Sequence, residues 1–439
     1  MPNTAIKNKT SRLLARLFLF CCFFCIFVSC ATPPFHTDKS RTVPSDFFGV
    51  SPYIIEPEDF PLIDELGAVW LRRTCRWGNL EPVPGQWNFS DWDNFVEYSN
   101  NAQKKILAIL AFDTPWLYGE EKIPRKITAR EMPMFLNYVD TVVNRYKGKI
   151  DAYEIWNEPN MMSWYGSDEE FITMTRSVIK TIRSIDPDVK ILAGSFWRVP
   201  KRFIRKLIRA GVFDEASGLS FHPYATSPKG VVKLCDSLLK LLEEEGFAGE
   251  VWVTEIGFPT KGWFPTRVSE INFPSHIVKT LASLAARDMS VLLWYELFDE
   301  KNPGEYTLTL NSEDFFGLAY RNNTVKAGYY AFALCGQKLA GKEYSPDLPK
   351  RNNLPERTVS LCFTGRGGEN VLIIWNESGR SFSADITLPG KDQHLYEINS
   401  GISQRIEGKT ETTVTQTPKF FTWVSDGYSA SGIPVITKK

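Results

Sequence analysis

The sequence predicts an α/β fold: a (β/α)8 TIM barrel followed by a small C-terminal all-β sandwich domain. Three observations carry this. From about residue 47 to 341, short apolar runs alternate with longer amphipathic stretches, which argues for a parallel sheet. The runs number eight, and their count and total length fit a closed barrel. After Gly341 the helical periodicity stops, and β-forming runs separated by turn residues take over.

At the amino end, Lys7, Lys9, Arg12 and Arg16 precede an uncharged run of 13 residues over 17–29. That length suits a signal-peptide core, whereas a spanning helix needs about 20 residues. The run ends Phe27-Val28-Ser29-Cys30-Ala31, which resembles the box of bacterial lipoproteins. The resemblance implies cleavage before Cys30, a diacylglycerol thioether on its sulfur and an acylated new amino end. Several acyl chains anchor a protein without a spanning helix. Residues 1–29 are therefore expected as a lipoprotein signal peptide and 30–44 as the lipidated Cys and tether. The protein is then exported and lipid-anchored to the bacterial cell envelope, at the outer membrane or the cell surface. An uncleaved anchor or an ordinary secretory signal is the plainer alternative. Cys75, Cys235, Cys335 and Cys362 lie far apart without C-x-x-C spacing and read as core thiols.

The barrel is expected over 45–341, with strands at 47–53, 68–74, 105–110, 152–156, 189–196, 218–224, 251–258 and 290–297. Between them lie helical patterns such as Phe135-Val139-Val142-Val143 and Leu234-Leu238-Leu239-Leu241-Leu242. An open doubly wound sheet is the alternative, disfavoured by eight repeats without a glycine fingerprint. A polar linker is expected over 342–355 and the sandwich over 356–439. Trp375 and Trp423 read there as core or inter-domain packing rather than sugar platforms.

Composition narrows the function. The chain has 439 residues, with 51 Lys and Arg against 51 Asp and Glu. No cationic excess is available to neutralise phosphates, so nucleic acid is not an expected partner. No G-x-G-x-x-G or G-x-x-x-x-G-K-[ST] pattern occurs, and four His are scattered without metal-ligand spacing. Neither a cofactor nor a metal is expected. Aromatics make up 13% of the chain, with 13 Trp, a residue that recurs where flat apolar ligands are gripped.

Barrel strands are buried on both faces, so polar residues are informative at their carboxyl ends, where barrels do chemistry. The second strand ends Leu71-Arg72-Arg73-Thr74, with Trp77 beyond, and the third leads into Asp113-Thr114-Pro115-Trp116. The fourth ends Glu154-Ile155-Trp156-Asn157-Glu158-Pro159, the sixth His222-Pro223-Tyr224, the seventh Thr254-Glu255-Ile256-Gly257, and the eighth Trp294-Tyr295-Glu296. Glu158 and Glu255 stand three positions apart around an eight-strand ring and converge across the mouth. Two carboxylates flanking one bond are what glycoside hydrolysis requires. A separation of about 5–5.5 Å makes the second a nucleophile and retains configuration.

Trp156-Asn157-Glu158-Pro159, with Glu255 in Trp252-Val253-Thr254-Glu255-Ile256-Gly257, resembles clan A of the glycoside hydrolases, and most closely family 39. Leu80-Glu81-Pro82 and Gly85-Gln86-Trp87 are of the same kind, and the likeness covers about residues 45–341. Together with the export signal, it implies a metal-independent glycosidase acting on a carbohydrate outside the cytoplasm, and the resemblance assigns Glu158 as general acid/base and Glu255 as nucleophile. Asn157 would bond the sugar 2-hydroxyl, and Arg72 would keep Glu255 ionised, with Arg73 as its alternative. Tyr224 would donate to Glu255, and His222 would orient groups near the acid/base. Trp294 or adjacent Tyr295 would form the sugar floor.

Other strand-end residues have plainer readings. Glu154 and Glu296 are further strand carboxylates, and Glu154 reads as the partner of a buried Arg. Glu81 reads as a loop brace. Trp77, Trp116, Trp164, Trp197 and Trp263 follow strand ends and suit either sugar stacking or packing. The rivals to hydrolysis are a catalytically silent sugar-binding lipoprotein and a transglycosylase.

Overall fold

The structure is a computed structural model that describes residue 37 and residues 39–117, 126–262, 267–302, 311–425 and 433–439. The signal peptide, Cys30, most of the tether and Trp263 lie outside the described residues. Eight parallel strands close into a barrel in chain order. They are β1 (Phe48–Val50), β2 (Trp70–Arg76), β3 (Lys105–Ala111), β4 (Ala152–Ile155), β5 (Lys190–Trp197), β6 (Gly218–His222), β7 (Glu250–Ile256) and β8 (Val291–Trp294). Each expected run yields one strand, and the open-sheet alternative falls away.

The intervening helices form where the sequence supplies both an apolar face and a start signal. Asp168–Ile185 begins with a capping box, Ser167 accepting from the Glu170 amide while the Glu170 carboxylate accepts from the Ser167 amide. Pro228–Glu244 begins with Pro at its first turn behind a Ser227 cap, and buries Val231, Cys235, Leu238 and Leu242. Among the described residues, no helix is long and apolar enough to cross a membrane.

The barrel is closed from below. Trp70, Leu107, Ala152, Leu192, Trp252, Val291 and Leu293 form one interior cluster. The Trp70 and Trp252 rings meet edge to face at 4.7 Å. With the amino-terminal half of the bore filled by carbon, polar side chains further along each strand open toward the carboxyl-terminal mouth. The segment before β1 runs along the opposite end, where Arg41 Nη2 donates to the Met289 carbonyl (3.0 Å), two residues before β8.

The C-terminal strands make two sheets. One orders Arg41–Thr42, Glu343–Tyr344, Thr358–Thr364, Glu369–Asn376, Lys419–Val424, Lys391–Tyr396 and Ser403–Arg405. The other orders Lys350–Asn352, Val435–Lys438, Phe382–Thr387 and Lys409–Val414. Leu372, Ile374, Phe421 and Trp423 of the first sheet pack on Ala384, Ile386, Val414 and Ile436 of the second, which makes a sandwich. On the other face of the first sheet, Val371, Ile373, Trp375 and Phe420 join the barrel's own core. Trp375 and Trp423 are thus both packing residues, and the four thiols are free and buried.

Two expected boundaries differ. Arg41–Thr42, expected within the tether, pairs with Glu343–Tyr344, and the stretch expected as a linker over 342–355 supplies that strand and Lys350–Asn352. Apart from Tyr344, which is buried against Phe363, their side chains are polar and mostly exposed, so no apolar alternation marked them, and backbone pairing recruits them to the margins of the sheets.

Candidate active site

Arg72 organises the mouth. It lies on the same face of β2 as Trp70, one layer above the apolar plug, and is 3% exposed. Its Nε donates to Glu154 Oε2 (2.7 Å), its Nη2 to Asn157 Oδ1 (2.9 Å), and its Nη1 to Glu255 Oε1. Glu154 also accepts from Thr254 Oγ1 (2.7 Å), so its charge is spent inside the barrel. Arg73 points the other way, bonding Asp91 (2.7 Å) and lying over Phe95 and Trp92. The pleat therefore decides between the two arginines.

Glu158 stands just beyond β4. The chain there is left-handed at Trp156 (φ 67°) and at Glu158 (φ 48°), a backbone state that costs a non-glycine residue about 1–2 kcal/mol. It is held by the Glu158 amide, which donates to the Ser195 carbonyl (2.9 Å), and by Ser163 Oγ, which donates to the Glu158 carbonyl (2.7 Å). His222 Nδ1 meets Glu158 Oε1 at 2.8 Å. On the other side of the ring, Nε2 faces Arg72 Nη2 (3.4 Å) and Ser195 Oγ (3.3 Å). A guanidinium only donates, so Nε2 accepts and the ring proton sits on Nδ1, facing Glu158.

Glu255 receives Arg72 and, at Oε2, the Tyr224 hydroxyl (3.2 Å). Burial alone would push this carboxyl up. The neighbouring His222 ring and the Arg72 charge, with the hydrogen bonds from Arg72 and Tyr224, outweigh it and hold the group below the usual carboxylate range. Tyr224 is pushed far up by burial and by the Glu255 charge, so it remains a phenol and a donor. One polar atom each from Glu158, His222 and Glu255 lies within 4.8 Å of the other two. That grouping also has the spacing of a cation site, but the Arg72 charge bonded to Glu255 opposes a second cation there.

A cavity of about 190 Å³ opens beside Glu255, lined by Arg72, Arg76, Asn79, Phe112, Tyr295 and Glu296 among others. That is small against the roughly 300–1,000 Å³ of drug-sized pockets and suits one sugar ring. Tyr295 is in the lining; Trp294 is not. Val291 and Leu293 face the bore, so strand alternation turns Trp294 outward and Tyr295 inward. Trp294 is fully buried against Phe258, Phe273 and Phe332, which corrects its expected place at the sugar floor.

Trp77 is a second correction. It is fully buried, stacked on Tyr138 at 5.5 Å, with its indole N–H donated to Glu81, because the short helix Trp77–Leu80 folds it under the loop. Glu81 also accepts from the Gly85 amide (2.7 Å), a loop brace. Trp116 is half-buried edge-on to Trp77, donates to the Glu81 carbonyl (2.8 Å), and is not part of the cavity lining. Trp164 packs on Trp156, and half-exposed Trp197 lies under Arg198.

Two nearby residues escaped the sequence reading. Ser195 interrupts an otherwise apolar β5, a signal that was there to be read. Glu313, whose Oε2 accepts from the Tyr295 hydroxyl (3.4 Å), has no such signal, because it reaches the mouth from the four-residue turn Ser312–Phe315. Burial and the charges of Glu255 and Glu158 push its carboxyl up.

Comparison with known proteins gives this geometry a family. Residues 37–294 of the 439 match the family model described as cellulase (glycosyl hydrolase family 5). Endo-1,4-beta-xylanase A of Phanerodontia chrysosporium is 25% identical over 141 residues, 30% of this chain and 33% of that protein. Endo-1,4-beta-xylanase 3 of Hypocrea jecorina is 33% identical over 95 residues, 21% of this chain and 27% of that one. The chain thus spans a third or less of the length of these curated relatives. Among solved structures, a family 39 glycoside hydrolase from the gut symbiont Bacteroides cellulosilyticus superimposes with a TM-score of 0.71 at 21% identity, covering 87% of this chain and 81% of the other. A family 39 β-xylosidase from Caulobacter crescentus does so with a TM-score of 0.62 at 12% identity, covering 88% and 97%. At these identities the family 39 likeness is one of fold, whereas the matched family model covers more than half of the chain. The chain therefore belongs to the cellulase family of glycosyl hydrolases, family 5, within clan A.

Proposed function

We propose that this glycosidase is a retaining O-glycoside hydrolase that cleaves a polysaccharide or oligosaccharide outside the cytoplasm, held to the cell envelope by a lipid on Cys30. Glu255 attacks the anomeric carbon. As the glycosidic C–O bond breaks, Glu158 gives its proton to the departing oxygen. Glu158 then takes a proton from water, whose oxygen displaces Glu255 and restores both carboxyl groups. Arg72 and Tyr224 keep Glu255 ionised and aimed, His222 holds Glu158, and Asn157, fixed by Arg72, meets the 2-hydroxyl. Tyr295 supplies the apolar floor.

The observation that supports this best is that one carboxyl oxygen of Glu158 and one of Glu255 lie within 4.8 Å of each other, which favours direct attack over a water held between them. Direct attack needs about 5–5.5 Å between the carboxyl groups and inversion about 6.5–9.5 Å. The names of the xylan-active relatives make xylans and aryl β-xylosides the first substrates to try, within a wider polysaccharide panel. The expected result is turnover with the first-formed product in the substrate's own anomeric configuration, abolished by Glu158→Gln and by Glu255→Gln. A first product of the opposite configuration refutes the mechanism. Binding without turnover makes the chain a sugar-binding barrel, and transfer to an added sugar in preference to water makes it a transglycosylase.

A further inference from the structure

One carboxyl of the cavity wall has no role in that scheme. Glu296 follows β8 directly, is 3% exposed, and its Oε1 is buried without a hydrogen-bond partner. Native folds seldom keep such an oxygen without a use for it. Ser51, beyond the end of β1, lines the same cavity, and its Oγ is likewise buried and unpartnered. Two residues lining one sugar-sized cavity thus each carry an orphaned polar atom, and a ligand's polar group reaching them would complete the set.

The chemistry of that group follows from what surrounds Glu296. Arg72 is spent on Glu154 and Glu255, and Arg73 on Asp91. Burial first, then the charge of Glu300, with smaller effects of Asp299 and Glu313, pushes the Glu296 carboxyl up to about 9, against the pull of Arg321. At neutral pH it is an uncharged acid that donates one hydrogen bond and accepts others. A ring hydroxyl is the complement, since it accepts from the acid and donates to Ser51.

We propose that Glu296, with Ser51, is a specificity-determining pair that reads one hydroxyl of the sugar ring held beside Glu255. The inference rests on the retaining-glycosidase reading of this cavity and adds to it the demand for a hydroxyl at one ring carbon. A site built around such a bond rejects sugars that lack the hydroxyl, because the buried acid is then left unpaired.

The test uses the purified full chain and the 2,4-dinitrophenyl glycoside of the sugar released in the panel, with its 3-deoxy and 4-deoxy analogues. Removing one of the two hydroxyls is expected to lower kcat/KM about 10–100-fold in the native enzyme. In Glu296→Ala that discrimination should shrink to about twofold, and Glu296→Gln, which keeps the shape and a donor, should recover most of it. Dinitrophenolate departs without a proton, so the native kcat/KM should also fall as pH rises past about 9 while the Gln variant stays level. Equal loss on all three glycosides in Glu296→Ala, or none on any, overturns the proposal. If the Ala variant does not fold, an unchanged alkaline limb in Glu296→Gln overturns it instead. Failure of the underlying reading looks different: Glu255→Gln would then still turn over every glycoside.

Discussion

Replacing Arg72 with Met gives the most direct test of how the mouth is held together. The substitution keeps the apolar stem and removes one charge that serves two buried carboxylates. Glu154 has no exposure, and the Glu255 side chain has 13%. Breaking a buried pair by removing one partner costs about 3–5 kcal/mol. One of the two carboxyls is expected to take up a proton to limit that cost. In the native fold Glu255 is held below its unfolded value of about 4.3. Its contribution to stability is therefore complete above that pH and is lost as pH falls through the lower folded value. Without Arg72, burial dominates and the sign reverses: the folded value rises above 4.3 and the ionised form destabilises the fold at neutral pH. The assay is kcat/KM against pH on an aryl glycoside, with thermal melting alongside. The acidic limb should move up by about 1–3 pH units. A folded Arg72→Met enzyme whose acidic limb stays in place would refute the assignment of Arg72 as the group that keeps Glu255 ionised.

Trp294→Ala should lower stability by about 3–5 kcal/mol in denaturant titration and leave KM nearly unchanged. Tyr295→Ala should do the reverse, raising KM several-fold at little cost in stability. Exchange of those two phenotypes would mean that the pleat assignment at β8 is wrong. At Glu158, Gly should be about 1 kcal/mol more stable than Ala, because φ 48° suits only a residue without Cβ, though both variants are inactive. Equal melting of the pair would mean that the left-handed backbone there carries no strain.

The barrel was legible because strands buried on both faces write apolar runs, as residues 106–111 do. Glu158 and Glu255 were legible for the converse reason: a charge at the end of such a run has no packing explanation. What the sequence hid was parity and reach. Trp294 and Tyr295 are adjacent aromatics, and only the register of Leu293 against the plug says which of them enters the bore. Trp77 sits at a strand end, as a sugar platform should, but a single helical turn folds it inward. The short strands at Arg41–Thr42 and Lys350–Asn352 carry no periodicity at all, since edge pairing asks only for free amides and carbonyls.

The course of the chain before β1 bears on how such an enzyme would meet a polymer. Residues 39–41 lie against the loops that precede β7 and β8, at the end of the barrel opposite the catalytic mouth. The described residues ahead of β1 therefore contribute nothing to the cavity wall beside Glu255, and substitutions there should leave the opening that receives a polymer unchanged.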